Sequence, residues 1–182
     1  MLYTWTERIN RTTDKFIEEF STLDFKQLNF KLDKASWSIG QCIDHIIVTN
    51  ELYFKIIEQI NQGAYQTFWL GRVPFIPKLF GGIILKSVQP ETIKKKQKTF
   101  PVFEPSQSEI SADILSRFKM MQLQLKAYLS EISPSNYSRI ISSPVASYVV
   151  YSLKDAIEII IAHEERHFLQ AQAVKKLIEK YN

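Results

Sequence analysis

Residues 152–170 decide how this chain is interpreted, and they read SLKDAIEIIIAHEERHFLQ. Apolar residues recur there at intervals of three and four, which is the spacing of one face of an α-helix. Ser152 followed three residues later by Asp155 has the pattern of a capping box, which marks the start of a helix. The periodicity continues almost to the end of the chain. We therefore predict one long amphipathic helix over about residues 153–180.

Two histidines of this helix, His163 and His167, occupy positions where the periodicity calls for apolar residues. Side chains four residues apart lie on the same helical face, so both imidazoles can reach one metal ion. Glu164 lies near the same face and is our candidate catalytic residue. Its carboxylate suits a general base, a fourth ligand or an acceptor for an imidazole N–H. Pairing with a neighbouring helix is the structural alternative for Glu164.

The third histidine is His45, on the flank of the apolar face of another predicted helix. Three histidines that leave one position open for water form a common catalytic zinc site. Periodicity does not say whether His45 meets the other two, because that depends on which helices pair. Three unrelated core or surface histidines are the alternative interpretation.

Three further segments have helical periodicity. They span about residues 4–21, 39–60 and 107–132. Ser38 with Gln41, and Ser106 with Glu109, have capping-box spacing at the starts of the second and third of these helices.

A long connection of about residues 61–106 separates the second and third predicted helices, and it holds four of the five glycines and five of the seven prolines. Connections of this length often form a lid, a packed excursion or an interface. Strand signals are weak, and the best candidate, residues 147–151, is too short to build a sheet. The sequence therefore predicts an all-α four-helix bundle with a long crossover connection between helices 2 and 3, in one domain over residues 1–182.

Residues 163–167 also satisfy the H-E-x-x-H pattern of zinc peptidases, in which Glu164 would be the general base. Those enzymes take a third ligand from downstream of the motif. The only carboxylate side chain that follows here is Glu179, which lies about 18 Å further along the same helix. It cannot reach the same ion, so the chain is a poor match to this class.

Two stretches together resemble the DinB-like superfamily of four-helix metal-binding proteins, which includes the YfiT-like metal-dependent hydrolases. One is residues 37–45, WSIGQCIDH, and the other is residues 152–170 with its H-x-x-x-H-x-x-Q pattern. The resemblance implies that His45, His163 and His167 are the metal ligands. It also implies zinc, nickel or iron as the metal. The implied chemistry is hydrolysis, or transfer that uses a low-molecular-weight thiol, with a small-molecule substrate.

Composition narrows the other expectations. The net charge of +4 does not indicate a nucleic-acid-binding protein, and the lysines of residues 94–98 are interpreted as a solvated loop. The single cysteine, Cys42, fits a reducing compartment, and the N-terminus has no secretory signal, so we expect a cytoplasmic protein. Arg72, Pro74, Pro77 and Lys78 interrupt the apolar stretch 68–85, so we expect no membrane partner, and contact of this stretch with a membrane is the alternative. Apolar residues that the connection offers for an interface, such as Phe68, Trp69, Phe75 and Phe80, make a homodimer a further hypothesis.

Two functional hypotheses follow. In the first, the protein is a metal-dependent enzyme, and Arg8, Arg72 or Lys78 would supply cations for an anionic thiol. In the second, it is a binding or structural protein whose metal fastens the second helix to the fourth.

Overall fold

Six helices and two strands make up the computed structural model, which describes residues 1–33, 35–92 and 99–181. The helices are α1 (Leu2–Phe20), α2 (Phe25–Leu28), α3 (Ile39–Asn61), α4 (Ile76–Val88), α5 (Ile114–Glu131) and α6 (Leu153–Tyr181). The strands are β1 (Ile140–Ser143) and β2 (Ala146–Ser152). Within the described ranges, no helix is long and apolar enough to cross a lipid bilayer.

The four long helices form a closed ring. Helices α5 and α6 each pack against both α1 and α3. Helices α1 and α3, which follow each other among the long helices, therefore lie diagonally across the bundle, and so do α5 and α6. This arrangement confirms the predicted all-α four-helix bundle and places α3 beside α6.

The predicted apolar faces become the core. In α1 the periodic residues from Trp5 to Phe20 are buried, and the ring of Phe16 packs against Phe118 of α5 and Phe168 of α6, with centroids 4.7 and 5.2 Å away. The capping box of α3 forms as predicted, because the Ser38 hydroxyl accepts a hydrogen bond from the Gln41 backbone N–H at 3.1 Å. These local signals fixed the start of α3.

The predicted start of the third long helix was wrong. Helix α5 begins at Ile114, and residues 99–113 form an irregular segment, here called the strap, that runs along α3. The Ser106 N–H donates to the buried carboxylate of Asp44 at 2.6 Å, and the Asn29 side chain bonds both the N–H and the carbonyl of Ile110. These distant partners hold the backbone in a non-helical path. Ile110 is buried nonetheless, so the apolar spacing continued past the real helix start.

The expectation that residues 147–151 build no sheet was also wrong. Strands β1 and β2 form an antiparallel hairpin, in which Ile141 pairs with Tyr151. Helix α4, within the long connection, packs against β2 and α6. A Cβ atom at Gly81 of α4 would lie 2.7 Å from a carboxylate oxygen of Asp155 in α6, so only glycine permits this close approach. The small sheet is stable because a helix covers it.

Candidate metal centre

The structure brings the three histidines together between α3 and α6. The Nε2 atom of His163 lies 3.0 Å from Nε2 of His45 and 3.0 Å from Nε2 of His167. The ring centroids are 4.4–4.8 Å apart. This is the one group of at least three potential metal ligands found among the described residues. The ring topology of the bundle explains the meeting, since it makes α3 and α6 neighbours.

His45 is held in one orientation by the strap. Its Nδ1 donates a hydrogen bond to the backbone carbonyl of Phe103, which lies in a short 3-10 helix. A carbonyl oxygen can only accept, so the proton resides on Nδ1 and the lone pair of Nε2 faces the other two rings. Metal-binding histidines commonly have such an outer hydrogen bond, which sets the tautomer and the direction of the ring.

Burial keeps the three imidazoles neutral. It lowers the pKa of His45 to about 4, against smaller raising effects from the Phe103 carbonyl and Asp44. Burial is also the main cause that lowers the pKa of His163 and His167 well below the usual value, and the neighbouring imidazoles lower it further. Neutral imidazoles carry the lone pairs that a metal ion needs. His163 is half-buried, whereas His45 and His167 are buried, so it is the least buried of the three ligands.

A divalent cation fits this cluster better than hydrogen bonds among the rings do. A neutral imidazole nitrogen is either a donor or an acceptor, so the Nε2 atom of His163 cannot satisfy both of its neighbours. The Nδ1 atom of His163 has no hydrogen-bonding partner in the part of the chain that is described. In a tetrahedral zinc site with bonds of about 2.0–2.1 Å, ligand nitrogens lie about 3.3–3.4 Å apart. The observed 3.0 Å separations are close to that spacing.

Trp37 forms one wall of the cluster. Its ring lies 4.8 Å from that of His45 and is stacked at 6.0 Å on that of His167, with an interplanar angle of 23°. An aromatic wall restricts the rotation of both rings and excludes water from one side of the site.

Glu164 is fully buried beside the cluster and points toward α3 and α5. Its two carboxylate oxygens accept hydrogen bonds from the side-chain amides of Asn50 and Gln122, both at 2.7 Å. Burial raises its pKa to about 7, against lowering effects of Gln122 and Asn50. The interhelical contacts match the structural alternative for this residue. Its role as a catalytic base stays a prediction.

Other candidate groups lie elsewhere. Cys42 is buried, and burial raises the pKa of its thiol to about 12, so it is a core residue rather than a thiolate. Arg8 is bound by Glu158 and Glu165 of α6, at 2.8 Å from each. Arg72 and Lys78, the other cations suggested for an anionic thiol, line a pocket at the start of α4.

Sequence reasoning missed two groups that support the site, the Phe103 carbonyl and the Asp44 carboxylate. A backbone carbonyl leaves no signal in a sequence. Asp44 had a usable signal, because it lies next to His45 in the mostly apolar first half of the helix, residues 39–48, whose sequence is IGQCIDHIIV. Its oxygens accept from the Ser106 N–H at 2.6 Å and from Arg117 at 3.3 Å.

The fold and the site define a four-helix bundle with a three-histidine cluster suited to a divalent metal. The chain belongs to the DinB superfamily, whose family model matches residues 8–171. It is 22% identical over 169 residues to the protein YuaE of Bacillus subtilis (strain 168), covering 89% of this chain and 91% of YuaE.

A solved structure has the same fold. It is YfiT from Bacillus subtilis, described as a probable metal-dependent hydrolase with an unusual four-helix bundle topology. The superposition has a TM-score of 0.63 and covers 98% of this chain and 87% of YfiT, at 10% sequence identity. At that identity the likeness supports the fold alone.

Proposed function

We propose that this protein binds one divalent metal ion through His45, His163 and His167 and acts as a hydrolase on a small molecule. The observation that carries the proposal is the convergence of three neutral Nε2 atoms at 3.0 Å contacts, one of them fixed by the Phe103 carbonyl. The description of YfiT as a probable metal-dependent hydrolase supports the same reaction class.

The ion would supply Lewis acidity, which polarises a substrate carbonyl and lowers the pKa of a bound water. Zinc, nickel and iron all suit a site of three imidazoles. The protein's residues provide the geometry. His45 from α3 and the histidine pair from α6 present the three ligands, and His163 is the least buried of them. Trp37 closes the site near His45 and His167.

Glu164 has two possible parts in this proposal. As a positioning residue, it fixes α6 against α3 and α5 through Asn50 and Gln122, and thereby sets where His163 points. As a general base, it would have to exchange one of those hydrogen bonds for a contact with the reacting water. The existing 2.7 Å contacts favour the positioning part.

The test begins with metal analysis of protein purified without a histidine tag. We expect one zinc, nickel or iron ion per chain, and none in a variant with all three histidines changed to alanine. The metal-loaded protein is then assayed with ester and amide substrates, and with low-molecular-weight thiols plus electrophiles. Turnover of esters or amides above the triple variant supports a hydrolase, whereas turnover only with thiols indicates a transferase.

The structural hypothesis has its own signature. The ligands come from two helices, so a bound ion would join α3 to α6 whether or not it is catalytic. A metal-loaded protein that loses thermal stability on chelation, and turns over nothing in either assay, would be a structural metalloprotein. A chain that binds no metal at all would refute both hypotheses.

A further inference from the structure

Helix α4 presents an apolar face that the rest of the described chain leaves uncovered. Phe75, Leu79 and Ile83 follow one another at intervals of four, and each is more than half exposed. The opposite side of α4 packs against β2 and α6, with Ile84 and Leu85 partly buried there. Trp69, just before α4, is also largely exposed. Grouped apolar exposure of this kind marks an interaction surface.

Phe75 stands out within this face. Its side chain is 85% exposed, and its φ angle of 69° lies in the left-handed region, which is strained for a bulky residue. The backbone therefore holds a large aromatic ring in solvent at an energetic cost. Burial of the ring against a partner would offset that cost. Strained backbone positions are commonly found at functional sites.

From Gln62 to Val88, which covers α4 and the loop before it, every charged residue is basic. Arg72, Lys78 and Lys86 are exposed, and at 100° per residue Lys86 falls within the sector of Phe75, Leu79 and Ile83. From Gln62 to Lys98 the chain has seven basic residues and one acidic residue, a net charge of +6. The remainder of the chain has sixteen basic and eighteen acidic residues, a net charge of −2. Four of the seven basic residues between Gln62 and Lys98 are the lysines of residues 94–98, which lie outside the residues that the structure describes.

A pocket at the start of α4 adds a polar site to the apolar face. It has a volume of about 390 Å³, and its lining includes Arg72, Lys78 and Phe75. The one acidic residue in the lining is Asp155, whose carboxylate accepts a hydrogen bond from the Ser152 hydroxyl at 2.7 Å. Two cations next to an exposed aromatic ring suit a phosphate headgroup above an acyl layer.

We propose that α4 and the loop before it attach the protein reversibly to the surface of an anionic lipid bilayer. The apolar side chains would lie at the boundary between headgroups and acyl chains, and the cations would pair with lipid phosphates. Lysine at the centre of an apolar face is compatible with this, because its long stem reaches outward to the headgroups. The attachment does not depend on the metal site.

The charge favours a lipid surface over a second copy of the chain. A two-fold dimer through this face would bring it against itself, and so would place the exposed cations Arg72, Lys78 and Lys86 near the same three cations of the second copy. Such like-charge juxtaposition opposes association. An anionic bilayer has the complementary charge.

The test is sedimentation of the full-length protein with vesicles of phosphatidylcholine alone and with phosphatidylglycerol added. We expect binding only to the anionic vesicles, and we expect high salt to abolish it. Replacing two cations (K78Q/K86Q) should weaken binding by roughly 25-fold, at about fivefold per cation. Replacing two apolar residues (L79S/I83S) should also weaken it, and the triple-histidine variant should bind like the wild type.

The matched control changes the exposed Met120 and Leu123 of α5, a second pair of apolar surface residues (M120S/L123S). It should bind anionic vesicles like the wild type, and circular dichroism of every variant checks folding. Absence of vesicle binding, or an equal loss in the control, would overturn the proposal. A dimer that L79S/I83S dissociates, without any vesicle binding, would assign this face to a second copy instead.

Discussion

Removing the carboxylate of Asp44 should weaken metal binding although Asp44 does not belong to the histidine cluster. In the Asp44→Ala variant the Ser106 N–H loses a 2.6 Å hydrogen bond to a fully buried carboxylate. That contact anchors the strap three residues after Phe103, whose carbonyl orients His45. With the strap loosened, the His45 ring can rotate and its proton can move to Nε2, the nitrogen that faces the cluster.

The size of the effect follows from the contact that is lost. A hydrogen bond to a charged group contributes about 1.5–3 kcal/mol. Loss of an outer hydrogen bond to a metal-binding histidine typically lowers metal affinity by about 10–100-fold. We therefore expect Asp44→Ala to bind zinc about 10–100-fold more weakly than the wild type. Competition with a chromophoric chelator measures this directly, and the absorption spectrum of the cobalt-substituted protein reports any change in ligand geometry.

Two control variants distinguish loss of His45 positioning from a general loss of structure. Asp44→Asn keeps an oxygen that can accept from the Ser106 N–H, so it should retain most of the affinity. Arg117→Ala removes the 3.3 Å ion pair of a side chain that is 44% exposed but keeps the 2.6 Å contact between Asp44 and the Ser106 N–H, so its metal affinity should stay near the wild-type value. Equal affinity of Asp44→Ala and wild type would refute this reasoning, as would an equal loss in Arg117→Ala. Failure of the wild type to bind metal would refute the proposed site itself.

Three further predictions concern other parts of the molecule. Gly81→Ala should lower the free energy of unfolding by about 1–3 kcal/mol, because the new Cβ would lie 2.7 Å from a carboxylate oxygen of α6; Gly82→Ala, with open space around it, should instead raise it by about 0.5–1 kcal/mol in chemical denaturation. Glu164→Gln should reduce turnover by about 100-fold or more with metal content unchanged if the residue is a general base, whereas a positioning residue should change metal affinity and melting temperature together. Burial raises the pKa of Tyr53 well above 10 and that of Tyr151 to about 12, so in an alkaline titration of tyrosine absorbance these two phenols should ionise last. Their contribution to stability should be complete below pH 10 and should be lost as the pH rises through about 12, and Tyr53→Phe should remove one of the late transitions.

The helices that carry the ligands were predictable because their signals are local. Apolar spacing and the capping signals at Ser38 and Ser152 mark where α3 and α6 begin. The box at Ser38 forms in full, and the Ser152 hydroxyl accepts a hydrogen bond from the Asp155 N–H at 3.0 Å. The same periodicity placed His163 and His167 on one inner face. The position of His45 opposite them was not a local property. It followed from the family resemblance, since periodicity alone does not say which helices pair.

The strap, the hairpin and α4 were not predictable in the same way, because distant partners determine them. Helix α5 begins at Ile114 rather than near residue 107, because the Asp44 carboxylate and the Asn29 amide bind the backbone of Ser106 and Ile110. Strand β1 has only four residues and no strict alternation, and its pairing depends on α4 packing over the sheet. Sequence spacing records what a segment does by itself, so it fails where another segment decides the conformation.

The long connection has one consequence for the site that the helices alone would not give. A four-helix ring brings His45, His163 and His167 close, but closeness leaves the tautomer of each ring open. The strap determines the tautomer of His45, since the Phe103 carbonyl accepts a hydrogen bond only from a protonated Nδ1. His163 has no such partner among the described residues. The tautomer of His45 is therefore set before metal arrives, whereas that of His163 is expected to be set by the ion.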